Sequence, residues 1–288
     1  MTNFIDLHTH SNASDGTCTP TEVVQRAAGK GLRAMALTDH DTVSGVEEAM
    51  NAATALSLPI LVIPGTELSV AYKKQDIHIV GLFVDHCNKA FQDMTQLLIR
   101  RRLERNEEMI RRFNKNGIPV TYEELTQGNP DAVITRAHFA RYLVEHQIVK
   151  IPNEAFKKYL DPGCPYFIPR EYIQPEDGIE IIRKAGGVPI LAHPLHYKLP
   201  QKELETLIAR LKDAGLMGIE VKYSNHTLQD EYYAGQLASR FHLLPSGGSD
   251  FHGANKPAID IGTGRGSLAV PYDYLESLAA AVDYPLSW

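Results

Sequence analysis

The chain has 288 residues, 29 Lys and Arg against 35 Asp and Glu, a formal net charge of −6, and 43% hydrophobic residues. That is a globular composition, long enough to bury a full core, and the acidic balance argues against a general binder of duplex DNA. No apolar run approaches the ~20 residues of a membrane span, the start carries no signal-peptide pattern, and Cys18, Cys87 and Cys164 build no disulfide framework, so a cytoplasmic protein is expected, with no membrane and no obligate protein partner.

Short apolar runs alternate with helical segments. Phe4 to Leu7 reads as a strand ending in His8. Thr19, Pro20 and Glu22 read as N-cap, N1 proline and capping-box acid of a helix running to about Gly31. Ala34 to Leu37 is a buried strand ending at Thr38-Asp39-His40, and a helix covers roughly Val43 to Leu58. Ile60 to Ile63 is a strand ending near Glu67, and Val70 to Tyr72 with Ile77 to Phe83 reads as a hairpin. One long helix is predicted from 91 to about 117, stopped by Gly117 and Pro119, with Arg100, Arg101, Arg102 and Arg105 along it. A helix from a Thr135 cap through Arg141 follows, and then Pro152, Pro162, Pro165 and Pro169 punctuate a loop-rich stretch.

Alternation resumes afterwards. A helix near 175–186 leads to strand Val188 to Leu191 and His193, and a helix at 200–214 leads to strand Leu216 to Val221. A helix at 227–240 leads to Leu243-Leu244-Pro245 and on to Asp250. Repeated strand–helix units argue for an α/β barrel or a doubly wound sheet. Strand signals are weak between 90 and 165, which reads as a helical insertion (91–165) in a barrel made of 1–90 and 166–288.

His8, His40, Glu67, His193 and Asp250 all fall at or just past the C-terminal end of a predicted strand. In a parallel α/β barrel that rim is where active sites are built. His8 and His10, and again Asp250 and His252, alternate by two, so on an extended backbone each pair faces one way. His, Asp and Glu without thiolates suit Zn²⁺, Mn²⁺ or Fe²⁺. A lone buried His is more often a satisfied core residue and a lone strand-end Asp more often a helix cap; the repetition at matching positions is what points to metal.

These motifs resemble the PHP (polymerase and histidinol phosphatase) superfamily. Asp6-Leu7-His8-Thr9-His10 with Ser14-Asp15-Gly16 is similar to its first motif, Thr38-Asp39-His40-Asp41 to the second, Ala192-His193-Pro194 to the third and Ser249-Asp250-Phe251-His252 to the fourth. Glu67 in Pro64-Gly65-Thr66-Glu67 and His78 supply intervening ligands. The resemblance implies a distorted (β/α)7 barrel and three divalent ions (Mn²⁺, Fe²⁺ or Zn²⁺). It implies one ion held by His8, His10, Glu67 and Asp250, a second by Asp15, His40 and His252, and a third by Glu67, His78 and His193, so that Glu67 bridges. Glu67, Asp15, His40 and His252 would then be catalytic, acting around a metal-bridging hydroxide, with His252 or His40 among the candidate proton donors. His86, His146 and His242 are read as structural.

Within the superfamily, the insertion and Ile77-His78-Ile79-Val80-Gly81-Leu82 resemble stand-alone phosphoesterases. The implied activity is hydrolysis of a phosphate monoester of a small nucleotide, best a 3′,5′-nucleoside bisphosphate such as adenosine 3′,5′-bisphosphate, to mononucleotide and phosphate. A 5′-3′ exoribonuclease acting on short RNA is the first alternative, and a histidinol-phosphate-type phosphatase, a non-catalytic PHP module and a C–N hydrolase are weaker ones. Arg102 and Arg105, three apart on one helix face, and Arg136 at a helix start are candidate phosphate binders; otherwise such arginines form a solvated face paired with Glu104, Glu107 and Glu108. Relatives often read Ala-His-Pro-Gly-Arg-Tyr where this chain has Leu195-His196-Tyr197 after Ala192-His193-Pro194, so His196 stands in for a substrate-binding arginine.

Overall fold

The computed structural model describes residues 3–73, 75–126, 129–169 and 171–286. The expected hairpin turn includes Lys74, which lies outside them. The chain order is β1 (Phe4–Thr9), α1 (Pro20–Gly29), β2 (Ala34–Leu37), α2 (Val46–Ala55), β3 (Leu61–Tyr72) and β4 (Gln75–Leu82). Then come α3 (Lys89–Lys115), α4 (Tyr122–Thr126), α5 (Arg136–Glu145), α6 (Pro152–Ala155) with a π-helical turn over Phe156–Leu160, and α7 (Pro175–Lys184). The chain ends with β5 (Val188–Leu191), α8 (Gln201–Asp213), β6 (Gly218–Tyr223), α9 (Leu228–Arg240), β7 (Leu244–Gly248), β8 (Val270–Pro271) and α10 (Tyr272–Ala280).

The strands form one sheet in the order β7-β6-β5-β4-β3-β2-β1-β8. Pairings β1–β2, β2–β3, β5–β6 and β6–β7 are parallel, whereas β3–β4, β4–β5 and β8–β1 are antiparallel. The sheet curls until β7 meets β1. There Asp250 N donates to His8 O at 2.8 Å and His10 N donates to Phe251 O at 2.9 Å. Gly248 makes this closure possible, because any Cβ at that position would collide with the His8 backbone. The result is a nearly closed, distorted barrel of the expected class.

Alternation along the strands explains the packing. Met35, Leu37 and Val62 face α1 and α2, where they meet Val23, Val24 and Ala49. The alternate set, Ile5, Leu7, Ala34, Ala36, Ile63, Val80, Leu82, Val188 and Ile190, forms a separate cluster capped by Leu275 and Leu278 of α10. The insertion has a cluster of its own, with Met109, Phe113, Leu125, Phe139, Tyr142 and Leu160. Helix α3 serves both sides: its Phe91 and Leu98 pack with the barrel cluster of Ile179, Ile182 and Leu207, and its Met109 and Phe113 pack in the insertion.

Local expectations compare as follows. Thr19 and Glu22 close a capping box around Pro20, as their spacing predicts. Helix α2 begins at Val46, three residues later than predicted, after Asp41 takes φ 56° and turns the chain. The two strands predicted around Glu67 are one, Leu61–Tyr72, because β4 pairs across Gly65, Glu67 and Tyr72 without a break. Glu67 therefore sits inside a strand and not at its end. Among the described residues no helix is long and apolar enough to cross a membrane.

Candidate metal centre

Nine predicted side chains come together: His8, His10, Asp15, His40, Glu67, His78, His193, Asp250 and His252. All are buried except His78, whose side chain is 20% exposed. Glu67 is the hub. Its Oε2 lies 3.3 Å from His8 Nε2, 3.3 Å from His10 Nε2 and 3.1 Å from His40 Nδ1. Its Oε1 lies 2.8 Å from His78 Nδ1 and 3.0 Å from His193 Nε2. One carboxylate thus faces two groups of imidazoles with two different oxygens.

The remaining carboxylates sit on the other side of the histidines. Asp250 Oδ1 is 3.8 Å from His8 Nε2, 3.4 Å from His10 Nε2 and 3.3 Å from His252 Nδ1. Asp15 Oδ1 is 3.1 Å from His252 Nε2, and its Oδ2 is 3.7 Å from His40 Nε2. Potential ligand atoms of His10, Asp15, His40 and His252 lie within 4.8 Å of one another, as do those of His8, His10 and Glu67 and those of His40, Glu67 and His78. His10 Nδ1, Asp15 Oδ1, His40 Nδ1 and His193 Nδ1 are buried without a hydrogen-bond partner among the described residues. Buried orphan nitrogens and oxygens in a mixed His/carboxylate set fit divalent cations, which would satisfy them.

The backbone is bent to make this convergence. His40 is bridged to Glu67 in register: Asp41 N donates to Glu67 O at 3.0 Å and Glu67 N to Asp39 O at 3.1 Å. His193 and Asp250 adopt φ of 28° and 57°. Such values in non-glycine residues cost about 1–3 kcal/mol each and persist at functional sites. Buried Asp39 accepts from Ser11 N, Ser11 Oγ and Ser14 Oγ, which holds the loop carrying Asp15. Asp6 likewise accepts from Ser249 N and Gly262 N, which fixes the loop carrying Asp250.

Charge follows from this packing. Burial opposes ionisation of Asp15, Glu67 and Asp250, yet the surrounding imidazoles, and Lys256 for Asp250, hold all three well below the usual carboxylate range. Burial also opposes protonation of His8 and His10, but Glu220 and Glu67 raise His8 well above its usual value, and Asp250 and Glu67 raise His10 to about 9. Burial wins at His40, pulled to about 3, and at His252, also lowered.

Several functional neighbours escaped the sequence reading. Glu220, in β6, accepts from His8 Nδ1 at 2.8 Å and from His193 N at 2.6 Å. It orients the His8 ring from behind, the usual role of a carboxylate beyond a metal-ligating histidine, and anchors the backbone of His193. Its signal was available: a carboxylate inside the apolar run Ile219-Glu220-Val221 near a strand's end. Asp250 Oδ2 is held by Tyr223 Oη at 2.8 Å and Lys256 Nζ at 2.6 Å. Tyr197 Oη accepts from His78 N at 2.9 Å and donates to Ala192 O at 2.8 Å, locking the two strands that carry His78 and His193.

The candidate phosphate binders divide. Arg102 is buried, with Nε 2.6 Å from Asp41 Oδ2 and Nη2 2.8 Å from Ser69 Oγ. Arg105 is buried in the same helix. Arg136 is partly exposed, 3.5 Å from Asp76 Oδ2, and Asp76 Oδ1 in turn is 3.8 Å from His78 Nε2. His196 borders the cleft beside His193, its ring pulled to about 4 by burial and the charge of His193. That cleft, about 420 Å³, opens onto His40, Glu67, His78, His193 and Asp250.

A buried His/Asp/Glu cluster on the rim of a distorted, partly antiparallel barrel defines the class of protein. The chain belongs to the PHP domain family, whose model matches residues 6–173. It is 38% identical to a 3′,5′-nucleoside bisphosphate phosphatase of Chromobacterium violaceum over 90% of each chain. It is 39% identical to a 5′-3′ exoribonuclease of Haemophilus influenzae, over 88% of this chain and 91% of that one. Among solved structures, a protein of Bifidobacterium adolescentis provisionally described as a metal-dependent phosphoesterase superposes with a TM-score of 0.83 at 27% identity, over 96% of this chain and 95% of the other.

Proposed function

We propose that this chain removes one phosphate from a 3′,5′-nucleoside bisphosphate, yielding a mononucleotide. It is a metal-dependent phosphoesterase, and the observation that carries this reading is Glu67 facing two imidazole groups with its two oxygens. In this reading His8, His10, Glu67 and Asp250 hold one ion, Asp15, His40 and His252 a second, and Glu67, His78 and His193 a third, drawn from Mn²⁺, Fe²⁺ or Zn²⁺. Bound there, divalent ions neutralise phosphate oxygens and lower the pKa of a coordinated water.

The residues of the chain do the rest. His40 and His252 are kept neutral by burial, so at pH 7 their ring nitrogens present lone pairs. Glu220, Tyr223 and Lys256 hold His8 and Asp250 in place, so the site need not reorganise when an ester arrives. His196 lines the cleft, and Arg136 pairs with Asp76, whose other oxygen approaches His78; both suit an anionic nucleotide. Arg102, bonded to Asp41 and Ser69, ties the 91–165 segment, taken as a cap, to the barrel, with Arg105 buried on the same helix. Three free cysteines support a reducing, cytoplasmic setting.

A cleft of about 420 Å³ is the size of a mononucleotide site, which favours the bisphosphate over an RNA strand. The test is product release with Mn²⁺ from adenosine 3′,5′-bisphosphate, a 5′-phosphorylated dinucleotide and histidinol phosphate. Phosphate should appear fastest from the bisphosphate. Faster release of mononucleotide from the dinucleotide would convert the reading to that of an exoribonuclease.

A further inference from the structure

The cleft has a second bank, away from the insertion. Between β7 and β8 the chain runs along its edge through Lys256, Pro257, Ala258 and Arg265. This loop is built to a fixed shape. Asp260 and Gly264 exchange backbone hydrogen bonds of 2.8 Å each way, and Gly264 and Gly266 take φ of 56° and 112°. Gly264 lies so close to Ser224 that a Cβ would come within 2.6 Å of its Oγ. The backbone of Arg265 is therefore pinned against the end of β6, and its side chain stands exposed at the mouth of the cleft.

Partners distinguish this arginine from those of the insertion. Arg102 and Arg136 each face a carboxylate, Asp41 and Asp76. Arg265 Nε instead donates to the neutral amide oxygen of Asn225, 2.7 Å away, and among the described residues it pairs with no carboxylate. A guanidinium left with unused donors beside an anion-handling centre is ready to fork onto a phosphate. Lys256 adds a second cation, partly exposed, behind Asp250. Pro257 and Ala258 are exposed apolar surface between the two, suited to a sugar or base.

We propose that the non-reacting phosphate of the substrate is held on this bank, by Arg265 with Lys256 behind it, while the nucleoside lies along Pro257 and Ala258. This rests on the bisphosphate reading above and places the second phosphate opposite the cap. The experiment compares kcat/KM for adenosine 3′,5′-bisphosphate and for 4-nitrophenyl phosphate, which has no second phosphate, in the wild type, Arg265→Ala, Arg265→Lys and Arg136→Ala. Arg265→Ala should lower kcat/KM for the bisphosphate about ten- to a hundredfold, chiefly through KM, with a much smaller loss on the aryl ester. Arg265→Lys should recover part of the loss. If Arg265→Ala keeps the wild-type preference and Arg136→Ala loses it, the second phosphate lies under the cap; the bank is overturned and the phosphatase reading stands. Equal losses on both esters in Arg265→Ala also overturn the bank. If the wild type itself shows no preference for the bisphosphate, the functional reading falls and the bank with it.

Discussion

Thr135 Oγ1 donates to Asp15 Oδ2 across 2.8 Å, tying the N-cap of α5 to a carboxylate of the candidate metal centre. The same hydroxyl accepts from Ala137 N and so starts the helix. Cap folding and ligand orientation thus share one oxygen. Val133 N also donates to Ala13 O at 2.9 Å, beside the loop that carries Asp15. The segment before α5 is thereby tied to the scaffold of the cluster.

Thr135→Val should weaken metal binding about ten- to a hundredfold, the usual effect of losing a group that orients a ligand, and cost about 1 kcal/mol of stability through the lost cap. Thr135→Ser should keep most of both. Metal content at limiting Mn²⁺, with thermal melting alongside, measures the two effects. Wild-type metal binding in Thr135→Val would mean that Asp15 is oriented by the barrel alone.

Glu67→Gln removes the charge that both imidazole groups face. Turnover should be abolished and metal content reduced while the protein stays folded. Elemental analysis and circular dichroism read this directly. Full metal loading with an undiminished rate would remove Glu67 from the centre.

Arg102→Ala should act on stability before specificity. It leaves the buried Asp41 carboxylate without its guanidinium, a loss worth about 3–5 kcal/mol when one partner of a buried pair is deleted. Asp41 Oδ1 also accepts from Ser69 N at 2.7 Å, so the part of β3 that carries Glu67 loosens with it. All phosphate esters should therefore lose rate together, and denaturant melts should shift to lower midpoints. An unshifted midpoint with a loss confined to the bisphosphate would make Arg102 a substrate contact.

The metal-stripped protein should be pH-sensitive on its alkaline side. His8 is raised and His10 is raised to about 9 from the usual 6.5. Their protonated forms stabilise the folded chain fully below pH 6.5; the contribution of His10 is lost as pH rises through about 9, and that of His8 also on the alkaline side. Asp15, Glu67 and Asp250, held low, contribute above the usual carboxylate range and lose that contribution only in acid. Lowered His40 acts oppositely to His10, since it favours the folded state at higher pH as its value of about 3 is left behind. The melting temperature of chelator-treated protein should fall from neutral pH toward pH 9, and metal loading at pH 7 should release protons. Calorimetry in two buffers of different ionisation enthalpy counts them. A loading enthalpy that does not depend on the buffer would show that His8 and His10 are already neutral.

Much of the centre was legible along the chain because its signals are local. The His8-x-His10 alternation follows strand geometry and the Thr19-Pro20-Glu22 cap helix-end chemistry, whereas Asp250 and His252 lie past the end of β7 on a turn with Asp250 at φ 57° rather than on the extended backbone expected for them. His8, His10, His40, Glu67, His193, Asp250 and His252 stood out by spacing or by their place at predicted strand ends, whereas Asp15 and His78 entered the candidate set only through the resemblance to the family. The strand expected to end near Glu67 runs on, because pairing with β4 carries β3 through Glu67 to Tyr72.

The sequence by itself determined much of the alternation of strands and helices and the residue types of the centre, since propensity, capping and alternation act over a few residues. Only the tertiary structure decided what each charge does. Glu220 reaches His8 from 212 positions away and Arg102 reaches Asp41 from 61. Both look ordinary in their own segments, one in an apolar strand and one on a charged helix. Barrel closure brings them to their partners in a buried, low-dielectric setting, where a carboxylate or a guanidinium is stable only if something opposite answers it.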